Sequence, residues 1–254
     1  MVAETSLSFT SYGKYKIEKI LELKLPGINI KFQKQGKSDF SYYRKDQENS
    51  ITEKNIHSDG PLEIQLCPIL PLNLPAKKTK DLIFLRLDKQ VVIPPNSSTE
   101  IKITFPIEIG IFYKFENSLH MIDVVTCEPM HSRFALYGTP ENGNLCMYSK
   151  ISQIDDENFS PYIWAKMKIT IKNELDHATS IGKFVFPLTA HQVYFKQDQT
   201  ESHIDDLEAR VYSDIGGEMV ELKQIDFSRK QEDWDLSPPL ANPPSIFVME
   251  KGFD

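Results

Sequence analysis

Apolar and polar residues alternate along most of this chain with a period of two. Leu21, Leu23 and Leu25 alternate with Glu22 and Lys24, and Ile28, Ile30 and Phe32 with Asn29 and Lys31. Leu62, Ile64 and Leu66 repeat the pattern, as do Met167, Ile169 and Ile171. The longest such ladder runs through Ile101, Ile103, Phe105, Ile107, Ile109 and Ile111. Successive side chains of a strand point to opposite faces, so each run puts one face in a core and the other in water. One-sided burial of this kind marks antiparallel sheets. Helical periodicity with caps at both ends is scarce. Glu201 to Tyr212 reads either as one helical turn or as a strand.

Turn residues punctuate the runs at short intervals, as an all-β fold requires. Pro26-Gly27, Pro94 to Ser98, Gly138 to Gly143 and Gly216-Gly217 each separate two alternating segments. Asn142-Gly143 tolerates positive φ, which a tight hairpin loop needs. Three polar stretches interrupt the pattern. Gly36 to Gly60 reads as a loop, or an insert holding one short strand around Phe40, Tyr42 and Tyr43. Ser152 to Ser160 is the expected domain boundary, dividing the chain into residues 1–154 and 155–254. Ser228 to Ser245 holds Pro238-Pro239 and Pro243-Pro244 and reads as an extended arm, because proline removes a backbone donor.

One pattern occurs twice. Ile103-Thr104-Phe105-Pro106-Ile107 leads into Ile111-Phe112-Tyr113, and Phe184-Val185-Phe186-Pro187-Leu188 leads into Val193-Tyr194-Phe195. Each follows an alternating strand and a polar turn. Duplication of one β unit explains this, and so does independent use of a common strand–turn–strand device. The expected fold is therefore all-β: two tandem antiparallel β-sandwich-like units, with duplication as one origin.

Composition narrows the function classes. The chain has 254 residues, 40% hydrophobic and 26% charged, which excludes collagen-like and disordered chains. A net charge of −7 argues against general binding to nucleic acid, which needs a cationic stripe. The richest apolar stretch, Ile101 to Phe112, is broken by Lys102, Thr104 and Glu108, so no membrane span is expected. Met1 to Ser11 lacks the apolar region of a secretory signal, and Cys67, Cys127 and Cys146 form an odd set without CxxC spacing. Together these point to a reducing, cytoplasmic setting.

The common enzyme signatures, from phosphate loops to nucleophile elbows, are absent. Reactive types concentrate between His120 and Cys146. His120, Cys127, His131 and Cys146, with Asp123 nearby, are candidate metal ligands, since zinc takes four nitrogen, oxygen or sulfur donors. Pro129 breaks any helix that would join Cys127 to His131, and buried cysteines beside loop-end histidines are the alternative. A Cys–His nucleophile would need a lowered thiol pKa. Arg133, Tyr137, Glu141 and Asn142 are candidates for contact with a ligand or partner. Asp155 to Glu157 and Asp205, Asp206 and Glu208 carry enough oxygen for calcium but read as solvated runs. Tyr42, Tyr43, Trp164 and Trp234 sit in or beside polar contexts, where aromatics serve binding surfaces or sheet edges.

The segment Ser132 to Tyr148, which contains Tyr-Gly-Thr-Pro-Glu-Asn-Gly-Asn, resembles the signature of an uncharacterised archaeal protein family, a domain of unknown function. Tyr12-Gly13-Lys14-Tyr15 is similar to that family's opening. The resemblance implies an archaeal, cytoplasmic setting and brings no activity, cofactor or catalytic residue. The reading that follows is an interaction protein without a cofactor, docking a partner protein on a sheet edge. Its arm, Ser228 to Asp254, would reach a second copy to form a dimer. The competing reading is a metal- or ligand-dependent enzyme built on His120 to Cys146.

Overall fold

The computed structural model describes residues 9–71, 81–116, 118–127, 134–154, 159–227, 233–238 and 246–250, the last as backbone alone. The chain is all-β. Among the described residues the only helical element is a single 3₁₀ turn, Leu188–Ala190.

Four sheets share one continuous core. The first has the order β1(Gly13–Ile17), β6(Leu62–Ile69), β9(Glu108–Phe115), β10(Ser118–Val125), antiparallel throughout. The second is a meander of β2(Ile20–Leu25), β3(Ile28–Lys34), β4(Asp39–Lys45) and β5(Ile51–His57). The third has the order β11(Phe134–Tyr137), β12(Asn144–Ile151), β7(Leu82–Ile93), β14(Thr179–Pro187). The fourth runs β19(Asp235–Leu236), β15(Val193–Phe195), β16(Ser202–Ile204), β13(Trp164–Asn173), β17(Asp206–Asp214), β18(Gly217–Ile225), β20(Ile246–Glu250). β8(Ser97–Pro106) also pairs with β13.

Burial follows the alternation. In β3 Ile28, Ile30 and Phe32 are buried, and in β13 Ala165, Met167, Ile169 and Ile171 are fully so. The long ladder from Ile101 to Ile111 is not one strand. Pro106 has no N–H to donate, the chain breaks after it, and Ile107 N donates to Ile163 O at 3.0 Å. β8 thus belongs to the fourth sheet and β9 to the first.

The stretch Gly36 to Gly60, expected as a loop or one short strand, forms the hairpin β4–β5. Phe40 and Tyr42 point inward and are each 1% exposed. β5 is polar on both faces, so its sequence carried no alternation; backbone pairing to β4 makes it a strand.

The repeated Phe-Pro pattern has a structural counterpart. β7 and β8 form an arch that crosses between the third and fourth sheets, and β13 and β14 form a second arch that crosses back. β7 pairs antiparallel with β14, and β8 antiparallel with β13. Exchanging the two arches leaves this pairing scheme unchanged. Pro106 lies opposite Trp164, and Pro187 opposite Leu82. The outer neighbours correspond as well: β12 runs parallel to β7, and β17 parallel to β13. Each arch is followed by an antiparallel pair, β9–β10 and β15–β16. The two arches are consecutive in sequence but interlocked in space. Residue 154 falls between β12 and β13, and both shared sheets cross that point.

Buried Asn173 ties the two arch turns together. Its Nδ2 is directed at the carbonyls of Pro94 and His177, both at 2.9 Å, and its Oδ1 accepts from Leu175 N at 3.1 Å. Asn96 N donates in turn to Leu175 O at 3.1 Å.

The described parts of the C-terminal arm add short strands to their own chain. β19 pairs with β15 at one edge of the fourth sheet, and β20 pairs with β18 at the other. Proline confines such segments to sheet edges. Among the described residues no helix is long and apolar enough to cross a membrane.

Candidate functional site

The hairpin β11–β12 carries Tyr137, Glu141, Asn142 and Cys146 from among the residues singled out from the sequence. Its turn depends on two glycines. Gly138 has φ +110°, and a Cβ there would lie 2.9 Å from Gly143 Cα. A Cβ on Gly143 would lie 2.6 Å from Thr139 O, the atom that accepts the Gly143 N–H. Asn142 N donates to Thr139 Oγ1 at 3.3 Å. Glu141 and Asn142 therefore sit exposed at the tip. Tyr137 is half-buried against the core at the base.

β11 is an edge strand, so one side of its backbone has no strand beside it among the described residues. Phe134 lies opposite Met147, and Met147 opposite Ile83. Met147 and Ile83 are buried in the core, whereas Phe134 is 40% exposed. Leu136 lies opposite Leu145, and these are 47% and 37% exposed. The core-facing side of the third sheet thus continues to its open edge as bare apolar surface. Nothing in the sequence marked it, because Phe134 and Leu136 look like any other inward residues of a strand.

The candidate metal ligands occupy different environments. Cys127 and Cys146 are buried, 4% and 0% exposed. Burial pushes their thiols up, to about 12 and about 11, so both are protonated at neutral pH. Cys67 is likewise pushed up to about 12 by burial. A nucleophilic cysteine needs the opposite shift. His120 is exposed on β10, stacked on Tyr113 at 5.2 Å between ring centroids. His131 and Arg133 lie outside the described residues. Among the described residues no group of three or more His, Cys, Asp or Glu is placed to hold a metal ion.

Asp123 has structural partners. Tyr42 Oη donates to its Oδ2 at 2.6 Å, Arg44 Nε lies 3.1 Å from the same oxygen, and Lys54 Nζ lies 3.5 Å from Oδ1. Tyr42 is thus a core residue rather than an exposed aromatic, and burial with the neighbouring carboxylate drives its phenol far upward. This node joins β4 and β5 of the second sheet to β10 of the first.

Asp205 and Asp206 are 1% and 4% exposed, not a solvated run. Asp205 accepts from Gln192 N at 2.8 Å and Phe227 N at 3.0 Å, and its burial raises the carboxyl above its usual range. Nearby, Trp234 meets Phe227 edge-on at 5.1 Å, and Lys196 lies over the indole at 5.0 Å.

No curated protein and no solved structure matches the chain. A family model does, over residues 11–247, which spans both arches and the hairpin β11–β12. The chain therefore belongs to the family described as Protein of unknown function (DUF432).

Proposed function

We propose that the protein is a binding module that takes up an extended segment of a partner protein along β11. The observation that carries this reading is the bare apolar surface of Phe134, Leu136 and Leu145 on an open sheet edge. An added strand would satisfy the outer backbone groups of β11 and cover those side chains, the two sources of affinity in strand addition. Edges left open and apolar invite pairing, and β-proteins usually cover or charge them. Here the fourth sheet has short strands, β19 and β20, at its ends, while among the described residues β11 has no strand on its outer side. The hairpin tip, with Glu141 and Asn142, would supply polar contacts at the rim.

A photo-crosslinking amino acid in place of Leu136, introduced in the cell of origin, tests this. A discrete adduct with another protein is expected, and the same probe at Ile215, an exposed turn residue, should give none. An adduct at twice the chain's own mass would identify a second copy as the partner. No adduct at 136, or equal adducts at both positions, would overturn the proposal.

A further inference from the structure

The outer face of the third sheet gathers positive charge that the sequence scatters. Lys150 on β12 lies directly beside Arg86 on β7, and Arg86 directly beside Lys183 on β14. Three cations thus form one row across three neighbouring strands. Like charges placed opposite each other on adjacent strands repel. The chain as a whole is acidic, at −7, so the row is a local reversal of sign. Arg86 and Lys150 are exposed, and neither has an ion pair or hydrogen-bond partner among the described residues.

The backbone opens beside this row. Ile181 lies opposite Val91 and Lys183 opposite Arg86, so Gly182 alone spans residues 87–90 of β7. Gln90 packs directly against Gly182, where a Cβ would approach Gln90 Cγ to 2.8 Å. The result is a hollow of about 350 Å³, lined by Phe84, Arg86, Asp88, Gln90, Gly182 and Lys183. Phe84 and Arg86 alternate onto the same face of β7, and Phe84 continues into Tyr148 at 5.9 Å between centroids. Two cations, one aromatic ring, an amide and a carboxylate therefore line one concavity of small-molecule size.

We propose that this hollow binds a ring-bearing phosphate the size of a nucleoside monophosphate. Arg86 presents a planar fork that matches a phosphate bidentately, Lys183 adds a second cation in the lining, and Lys150, outside the lining, flanks Arg86 on β12. Phe84 forms a face for the ring to stack on. Asp88 and Gln90 continue the lining along β7 on the other side of Arg86 from Phe84. The assignment does not depend on the β11 edge, which uses the opposite face of the sheet.

Isothermal titration of the full chain with AMP, adenosine and inorganic phosphate tests the assignment. The wild-type protein should bind AMP, more tightly at low salt, and phosphate more weakly, with no measurable binding of adenosine. The double variant Arg86→Ala/Lys150→Ala should lose at least tenfold in AMP affinity. Phe84→Ala should bring AMP down to the level of phosphate and leave phosphate unchanged. Arg86 and Lys150 are exposed, and an unchanged circular dichroism spectrum would establish that the double variant folds. No AMP binding at millimolar concentration would overturn the proposal. Adenosine binding as well as AMP, phosphate binding as well as AMP, or full AMP affinity in the double variant would do the same.

Discussion

The ring of Phe105 stacks on that of Phe186, with centroids 6.4 Å apart and planes 24° from parallel. These are the two phenylalanines of the repeated Phe-Pro step, one at the end of each arch. They meet in the core, Phe105 from β8 of the fourth sheet and Phe186 from β14 of the third, at matching positions of the two arches.

Both rings are buried, so truncating either should be costly. Phe105→Ala and Phe186→Ala should each destabilise the protein by about 3–5 kcal/mol. The double variant should cost less than the sum, since the residues share one contact. Urea unfolding of the four proteins in the cycle measures this. Full additivity would show that the stacking is energetically idle.

The Asp123 node predicts an asymmetry between partners. Asp123→Ala strands the largely buried Arg44 guanidinium and should cost roughly 2–4 kcal/mol. Adding Arg44→Leu to that variant should restore part of the loss, because the buried uncompensated charge is then gone and Lys54 is exposed enough to be hydrated. Lys54, which is more exposed, should matter far less: Lys54→Ala is expected to cost at most about 1 kcal/mol. Thermal melts of these variants decide the matter.

His191 predicts acid sensitivity. Its ring is buried against Phe186 at 4.6 Å, its Nδ1 has no hydrogen-bond partner among the described residues, and desolvation holds its pKa down at about 3, from an ordinary 6.5. The unfolded chain therefore binds a proton that the folded chain refuses. Stability from this group is complete above about 6.5 and falls as pH drops toward about 3; its slope is about 1.4 kcal/mol per pH unit. His203, also lowered chiefly by burial, adds in the same direction. Asp205 opposes them in acid, because its raised carboxyl takes up a proton before its unfolded counterpart does. His191→Leu should flatten the fall by about one proton. Denaturant midpoints between pH 7 and 4.5 are the measurement, and an unchanged slope would remove His191 as the cause.

The hairpin turn predicts where β11 is vulnerable. Gly138→Ala strains a positive φ and crowds Gly143, at a cost of about 1–3 kcal/mol confined to the hairpin. Amide hydrogen exchange in residues 134–137 should accelerate by about tenfold or more, with β13 unaffected. Crosslinking through position 136 should fall in parallel.

How much of this was legible depends on the range of each signal. Ile28, Ile30 and Phe32, or Met167, Ile169 and Ile171, announce both strand and buried face, because a two-residue period is local. β5 was not legible, since neither of its faces is buried enough to show alternation. The break at Pro106 was half legible: the proline is visible, but its effect on the ladder depends on Ile163, which receives the Ile107 N–H. The parallel pairs β7–β12 and β13–β17 left no mark, because both kinds of ladder use the same apolar residues.

The candidate sites were less legible for the same reason. The sequence drew attention to cysteines and histidines between 120 and 146, which are rare and easily noticed. The structure shows Cys127 and Cys146 as buried apolar packing. What stands out in space, the Lys150–Arg86–Lys183 row and the Phe134–Leu136–Leu145 edge, is made of common residues that only register brings together.

The interlocking of the arches also has a consequence for synthesis. A nascent chain leaving the ribosome presents residues 82–106 long before residues 164–187 exist to pair with them. β8 must wait roughly 60 further residues for β13, and β7 has only β12 beside it until β14 follows, a delay of several seconds at ordinary elongation rates. Neither half can be finished first, so this molecule should mature only after its second arch has been translated, and chains stalled between the two would be natural clients for chaperones.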